Sequence, residues 1–295
     1  MGREAELFLK MDCQIGETPI WDAAAGKFYF IDILSSRIHV YEQATGDVAT
    51  IDTGQHIGCI ALREKGGLIA GLVDGIYYVD TMTGKLDFIT NPEKDIENNR
   101  FNDGKCDPAG RFWVGSMSRT LDSGAGDSTP RGALYCMYAD GHMEKKVDRV
   151  AISNGLAWNS RQDTMYYIDS PTKKVVAFDY DVHTADITNR RTVFDFAGYD
   201  GIPDGMCIDT NDNLWIAFFG GGVIRYCDPE KGAVLDEVAV PATKVACAVF
   251  GGDCYDELYI TTGAIETDME KYPDAGSVFR VRPDVGGTAP WKFKG

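Results

Sequence analysis

No apolar run of about 18 residues occurs anywhere in the 295-residue chain, so no helix of membrane-spanning length is encoded. Cations are also short: 29 Lys and Arg stand against 45 Asp and Glu, a formal net charge of −16. Such a molecule repels phosphate backbones and anionic lipid surfaces, which argues against nucleic acid and membranes as partners. Histidine is scarce, with His39, His56, His142 and His183 at unrelated places, where surface or packing roles are expected. HExxH, GxSxG, P-loop and GxGxxG motifs are missing, which removes the common zinc-protease, serine-hydrolase and nucleotide-binding signatures. The opening MGREAELFLK is no secretory leader, and Glu6 stands where a myristoylation signal needs Ser or Thr. A soluble, cytoplasmic protein is the expectation.

The eight cysteines form no CxxC pair, and Cys59, Cys106, Cys207 and Cys247 sit inside apolar, strand-like runs. They read as small buried hydrophobes in a reducing compartment, not as a disulfide framework. Long stretches of helical periodicity are lacking too. What is present is a series of short runs rich in Phe, Tyr, Trp, Val and Ile, at 27–33, 75–80, 111–116, 164–169, 213–218 and 257–261. Gly, Asp, Asn and Pro separate them, the pattern of a nearly all-β chain.

Upstream of these runs the chain repeats itself: GETPIWD from Gly16, FNDGKCD from Phe101, SNGLAWN from Ser153 and PDGMCID from Pro203. In each, a polar residue is followed five positions later by Asp or Asn, and eleven positions later by Phe28, Trp113, Met165 or Trp215. Two weaker copies, GCIALR from Gly58 and ACAVFG from Ala246, fit the same frame. The anchors 17, 58, 102, 154, 204 and 246 are spaced by 41, 44, 52, 50 and 42 residues. That period suits a four-stranded blade, so residues 1–295 are expected to form one six-bladed β-propeller. The run 4–10 is expected to pair with C-terminal strands and close the ring.

Equivalent positions on successive inner strands would point together at a central channel. They are Glu17, Gly58, Asn102, Asn154, Asp204 and Ala246: four oxygen-bearing side chains and two small residues. Two facing carboxylates cost free energy unless a cation offsets them. Carboxylate and amide oxygens, without sulfur or imidazole, suit calcium, magnesium or manganese. The stretch Asp209-Thr-Asn-Asp-Asn213 resembles the start of a calcium loop, but Leu214 stands where Gly is required, and a hairpin turn is expected instead.

The segments GETPIWD, NNRFNDGKCDPAGRFWVGSM, ISNGLAWN, MYYIDS, FDYD and IPDGMCIDTNDNLWIA resemble the regucalcin/gluconolactonase/luciferin-regenerating enzyme family over nearly the whole chain. The resemblance implies a metal-dependent lactonase that opens a sugar lactone, such as glucono-, xylono-, arabinono- or galactonolactone, to the aldonic acid. It also implies that Glu17, Asn154 and Asp204 ligate one divalent metal, and that Asp204 is the catalytic base. A base held on a cation is weak, so metal-activated water oriented by Asp204 is the alternative mechanism. Arg100 and Asn102 match residues that hold the substrate. Calcium is the first expectation, with zinc, magnesium, manganese or iron(II) as alternatives. The partner implied is a small-molecule lactone, with the protein a monomer or weak homo-oligomer. Where many members carry an acidic pair that contacts the sugar, this chain has Arg119 and Thr120, which removes two acceptors and adds a cation. The Gly- and Ser-rich segment 121–131 reads as a flexible lid over the pocket mouth. The rival readings are a paraoxonase-like phosphotriester hydrolase and a calcium-binding regulatory protein without enzymatic activity.

Overall fold

The computed structural model describes residues 3–123 and 129–295, so part of the expected lid, residues 124–128, lies outside the described residues. The described chain is all-β apart from two 3-10 turns, Arg119–Ser123 and Ser170–Thr172. Gly16–Asp22, Lys27–Asp32, Arg37–Glu42 and Val48–Asp52 form an antiparallel sheet in chain order. Three more sheets of the same kind run from Ile57–Leu62 to Leu86–Thr90, from Asn99–Cys106 to Met143–Val150, and from Ser153–Trp158 to Ile187–Asp195. The remaining strands make one nine-stranded sheet. Seven of its strands form a meander from Ile202–Ile208 to Ala233–Ala239 and a second meander through Lys244–Gly251, Glu257–Gly263 and Val278–Val281; Arg3–Glu4 and Glu6–Leu9 are the other two. A single residue pair, Phe219 with Lys244, joins the two meanders.

The first strands pack side by side in chain order, and Lys244–Gly251 packs back onto Gly16–Asp22, so their succession is closed. The N-terminus completes the circuit as expected. Glu6–Leu9 pairs antiparallel with Val278–Val281, and Arg3–Glu4 lies parallel to Ala233–Ala239. Aromatic and branched residues fill the spaces between successive sheets. Trp113, Leu134, Leu156 and Tyr167 make one such layer, and Trp21, Phe28, Tyr259 and Val278 fill the space where the last strands meet the first. Burying each side chain of this size stabilises the fold by roughly 1.5–3 kcal/mol. All eight cysteines are free and seven are buried, in agreement with the hydrophobe reading.

The repeated Asp or Asn five positions beyond the anchor has a structural role. Asp107 Oδ1 accepts the amides of Ala109 and Arg111, and its Oδ2 accepts the Trp113 indole at 2.9 Å. Asp209 repeats this with the Asn211 and Asn213 amides and the Trp215 indole. Asn159 Oδ1 likewise takes the amides of Asp163 and Thr164. Each carboxylate or amide therefore ties a hairpin turn, and in two cases it also fixes the aromatic residue of the next strand. The Asp209–Asn213 stretch is such a turn.

Candidate metal centre and active site

Each first strand changes register at the anchor of the repeat. The shifts fall between Glu17 and Ile20, Ile57 and Cys59, Phe101 and Gly104, Asn154 and Leu156, Pro203 and Met206, and Val245 and Cys247. A bulge re-aims a side chain out of the regular pleat. Six first strands carry such a bulge, and the anchors Glu17, Asn102, Asn154 and Asp204 line a common space. Gly58 and Gly155 answer a different demand. A Cβ on Gly58 would lie 2.2 Å from the Phe101 carbonyl oxygen, and one on Gly155 would lie 2.7 Å from that of Asp204.

The five residues singled out from the sequence, Glu17, Arg100, Asn102, Asn154 and Asp204, all line one cavity of about 230 Å³. Leu121, Asp122, Met117, Phe219 and Glu266 complete much of its wall. Glu17, Asn154 and Asp204 are each at least nine-tenths buried. Thr18 donates its amide to Glu17 Oε2 at 2.5 Å, whereas among the described residues no backbone donor reaches the Asp204 carboxylate. Burial first, then the charges of Asp204 and Asp103, push the Glu17 carboxyl well above its ordinary range. Asp204 is raised by burial and then by Asp103; a hydrogen bond from Asn154 and the charge of Arg100 work the other way.

The donor set fits a hard divalent cation on two counts. Asn154 Nδ2 donates to Ser170 Oγ at 2.9 Å, which leaves Oδ1 as a buried acceptor with no hydrogen-bond partner. The charges also match. Glu17, Asp204 and the buried Asp103 are three acids, and Lys105, bonded to the Met206 carbonyl, opposes one of them. Arg100 is already neutralised by Asp122, so with the three acids ionised two negative charges would remain for a divalent cation to offset. Among the described residues no three His, Cys, Asp or Glu side chains cluster to hold a metal. Any cation held here would need a donor other than these residue types, and Asn154 Oδ1 is a buried oxygen without a partner among the described residues.

Arg100 and Asn102 have fewer free groups than the sequence implied. Arg100 Nε lies 3.0 Å from both Asp122 oxygens, and its Nη2 donates to Oδ1 at 2.7 Å. Its Nη1 donates to the Phe101 carbonyl and to Asn102 Oδ1, while Asn102 Nδ2 donates to the Ser153 carbonyl. These two residues build the wall and hold Asp122 against it. Asp122 thus returns one acid to the mouth, two positions beyond Thr120, where the Arg119 and Thr120 replacements were read as removing two acceptors. His56 stands at the same rim, with its Nδ1 3.6 Å from Asp122 Oδ2. Sequence reading missed Asp122, His56 and Ser170. MYYIDS ends on Ser170, but nothing in that motif marks its hydroxyl as the partner of Asn154.

Comparison with known proteins places the chain in a family. The pattern described as the SMP-30/Gluconolactonase/LRE-like region matches residues 15–264. A putative sugar lactone lactonase of Bacillus subtilis, YvrE, is 37% identical over 284 residues, 95% of each chain. Regucalcin of Sus scrofa is 36% identical over 294 residues, 98% of each chain. The solved structure of a luciferin-regenerating enzyme superposes with a TM-score of 0.91 at 33% identity, covering 99% of this chain and 100% of that one. The match spans every sheet and every anchor of the repeat, and the chain belongs to the SMP-30/gluconolactonase/LRE-like family.

Proposed function

We propose that this chain is a six-bladed β-propeller that hydrolyses a sugar lactone at a divalent-metal centre formed by Glu17, Asn154 and Asp204. The blade count is supported by the closed succession of first strands and by the one-pair junction within the nine-stranded sheet. The activity is supported by family membership and by the names of the lactonase relatives. The observation that carries the metal centre is the convergence of the three side chains on one cavity, with Asn154 Oδ1 left without a partner.

A cation bound there, calcium in the first instance, supplies Lewis-acid polarisation of the lactone carbonyl. Asp204, free of backbone donors, orients the attacking water and accepts its proton. Water oxygen bonds to the carbonyl carbon, the ring C–O bond breaks, and the departing ring oxygen takes up the proton. The aldonic acid product ionises at neutral pH. Apolar walls from Ile15, Ile33, Met117 and Phe219 limit competing water. The Arg100–Asp122 pair at the rim presents carboxylate lone pairs to substrate hydroxyls. The free state of all eight cysteines supports residence in a reducing compartment such as the cytoplasm.

A second reading, cation binding without turnover, is favoured by the engagement of Arg100 and Asn102 with protein partners. A pH-indicator assay of chelated protein on a panel of aldonolactones, with calcium, magnesium, manganese, zinc or iron(II) restored one at a time, separates the two. Metal-restored acid release is expected. An Asp204→Ala variant is expected to fold, to lose metal and to lose hydrolysis. Metal binding with no release on any lactone would favour the second reading.

A further inference from the structure

Past the anchors, the first strands run on into a second compartment, of about 90 Å³. Ile20, Ile60, Lys105, Leu156, Ile208 and Phe250 line it, one from each first strand. It shares no lining residue with the metal cavity. The C-terminal segment supplies the rest of its wall through Thr288 to Trp291. That segment is tied down on both sides. Gly287 donates its amide to the Tyr255 carbonyl, Phe293 exchanges backbone hydrogen bonds with Leu62 and Glu64, and Lys294 donates to Gly110. Trp291 meets Trp158 edge-on at 6.3 Å. Thr288 and Ala289 are exposed, so one layer of chain separates the compartment from solvent.

Two buried polar side chains of this wall are left with an unpaired group. Asp103 is 4% exposed; its Oδ1 takes the Gly104 amide at 2.7 Å, but Oδ2 has no hydrogen-bond partner among the described residues. Trp158 is 1% exposed, and its indole N–H is likewise unpartnered, whereas Asp107 and Asp209 take the Trp113 and Trp215 indoles. A buried donor or acceptor without a partner costs free energy, and here one of each lines the same apolar compartment. Lys105 lines it too. Its Nζ donates to the Met206 carbonyl at 2.6 Å, and its charge opposes the upward push that burial exerts on the Asp103 carboxyl. Cation and carboxylate on one wall offset each other, so an ionic occupant would bring an unpaired charge into apolar surroundings.

We propose that this compartment is a second binding site, for a neutral molecule of about four non-hydrogen atoms that carries a hydroxyl group. A hydroxyl both donates and accepts: its proton goes to Asp103 Oδ2, and its lone pairs take the Trp158 indole N–H. Ile60, Leu156, Ile208 and Phe250 meet the carbon body. The size follows from the volume, since an apolar cavity of about 150 Å³ admits benzene. The site lies apart from the metal centre, and its occupancy does not depend on lactone hydrolysis.

Heteronuclear NMR on the calcium-loaded protein tests the site, with 1-propanol, propylammonium and propionate as probes. The Trp158 indole resonance, identified by its loss in Trp158→Phe, is expected to shift saturably with 1-propanol. A dissociation constant on the order of 1 mM is expected for so small a molecule. Each ion should bind at least about tenfold more weakly. Asp103→Asn leaves Lys105 unopposed, so 1-propanol should weaken about tenfold while propionate gains. Lys105→Met leaves Asp103 unopposed, and propylammonium should become the preferred probe. Thermal melts show whether each variant is folded; if Asp103→Asn is not, the switch of preference in Lys105→Met carries the test. Absence of a saturable shift with every probe overturns the proposal and leaves the compartment to water alone. Wild type binding either ion as tightly as 1-propanol, or folded variants that keep the wild-type order of preference, overturns it as well.

Discussion

One hydrogen bond fixes the orientation of the Asn154 amide. Ser170 Oγ takes the Nδ2 donor, which leaves Oδ1 without a hydrogen-bond partner among the described residues. Outer groups of this kind tune metal affinity by roughly 10–100-fold. Ser170→Ala is therefore expected to weaken calcium binding about tenfold, read by titration calorimetry, while the fold remains. Glu17 makes a less intuitive case. Its carboxyl is raised in the folded, metal-free protein, so between its unfolded value and that raised value the native state binds more protons than the unfolded state. Its contribution to stability is present at acid pH and is lost as pH rises. In chelator, Glu17→Gln should accordingly be more stable than wild type near pH 7–8, with the advantage shrinking toward the ordinary carboxylate range. Thermal melts across pH, with and without calcium, check this; the variant should also lose the stabilisation that calcium gives wild type. A variant less stable than wild type throughout would remove the argument from charge repulsion.

Among the elements, the bulged first strand explains both what could be read in advance and what could not. The anchors Glu17, Asn102, Asn154 and Asp204 were legible because a fixed spacing carries them and their oxygen chemistry differs from that of the strands around them. The Asp or Asn at the fifth position was equally visible, but its meaning was not, since a latch between a turn and an indole depends on geometry that spacing does not encode. Asp122 escaped because it lies on a short 3-10 turn outside the repeat and finds Arg100 across 22 positions of sequence. Gly58 was read only as one of two small residues at the anchors, whereas the close approach of the Phe101 carbonyl leaves no room for a Cβ there. Gly58→Ala is therefore expected to force two first strands apart and cost about 2–3 kcal/mol in urea unfolding. A cost below about 0.5 kcal/mol would mean that the strands can separate freely.

For the molecule as a whole, closure depends on a strand from one end of the chain and three from the other. Glu6–Leu9 covers the outer edge of Val278–Val281, and Arg3–Glu4 extends the neighbouring meander. Removing residues 1–10 would bare both edges, and an unpaired strand edge invites pairing with other chains. The truncated protein is expected to melt earlier and to scatter light on standing; unchanged melting with no association would show that the ring holds without the clasp. The same clasp sets a timetable for synthesis. Glu6–Leu9 leaves the ribosome early, yet its partner Val278–Val281 is made some 270 residues later. At ~5–20 residues per second, the first strand waits for an interval on the order of tens of seconds. Throughout that wait every nascent chain carries an open hem, so the final sheet can be sewn shut only once Val278–Val281 has emerged.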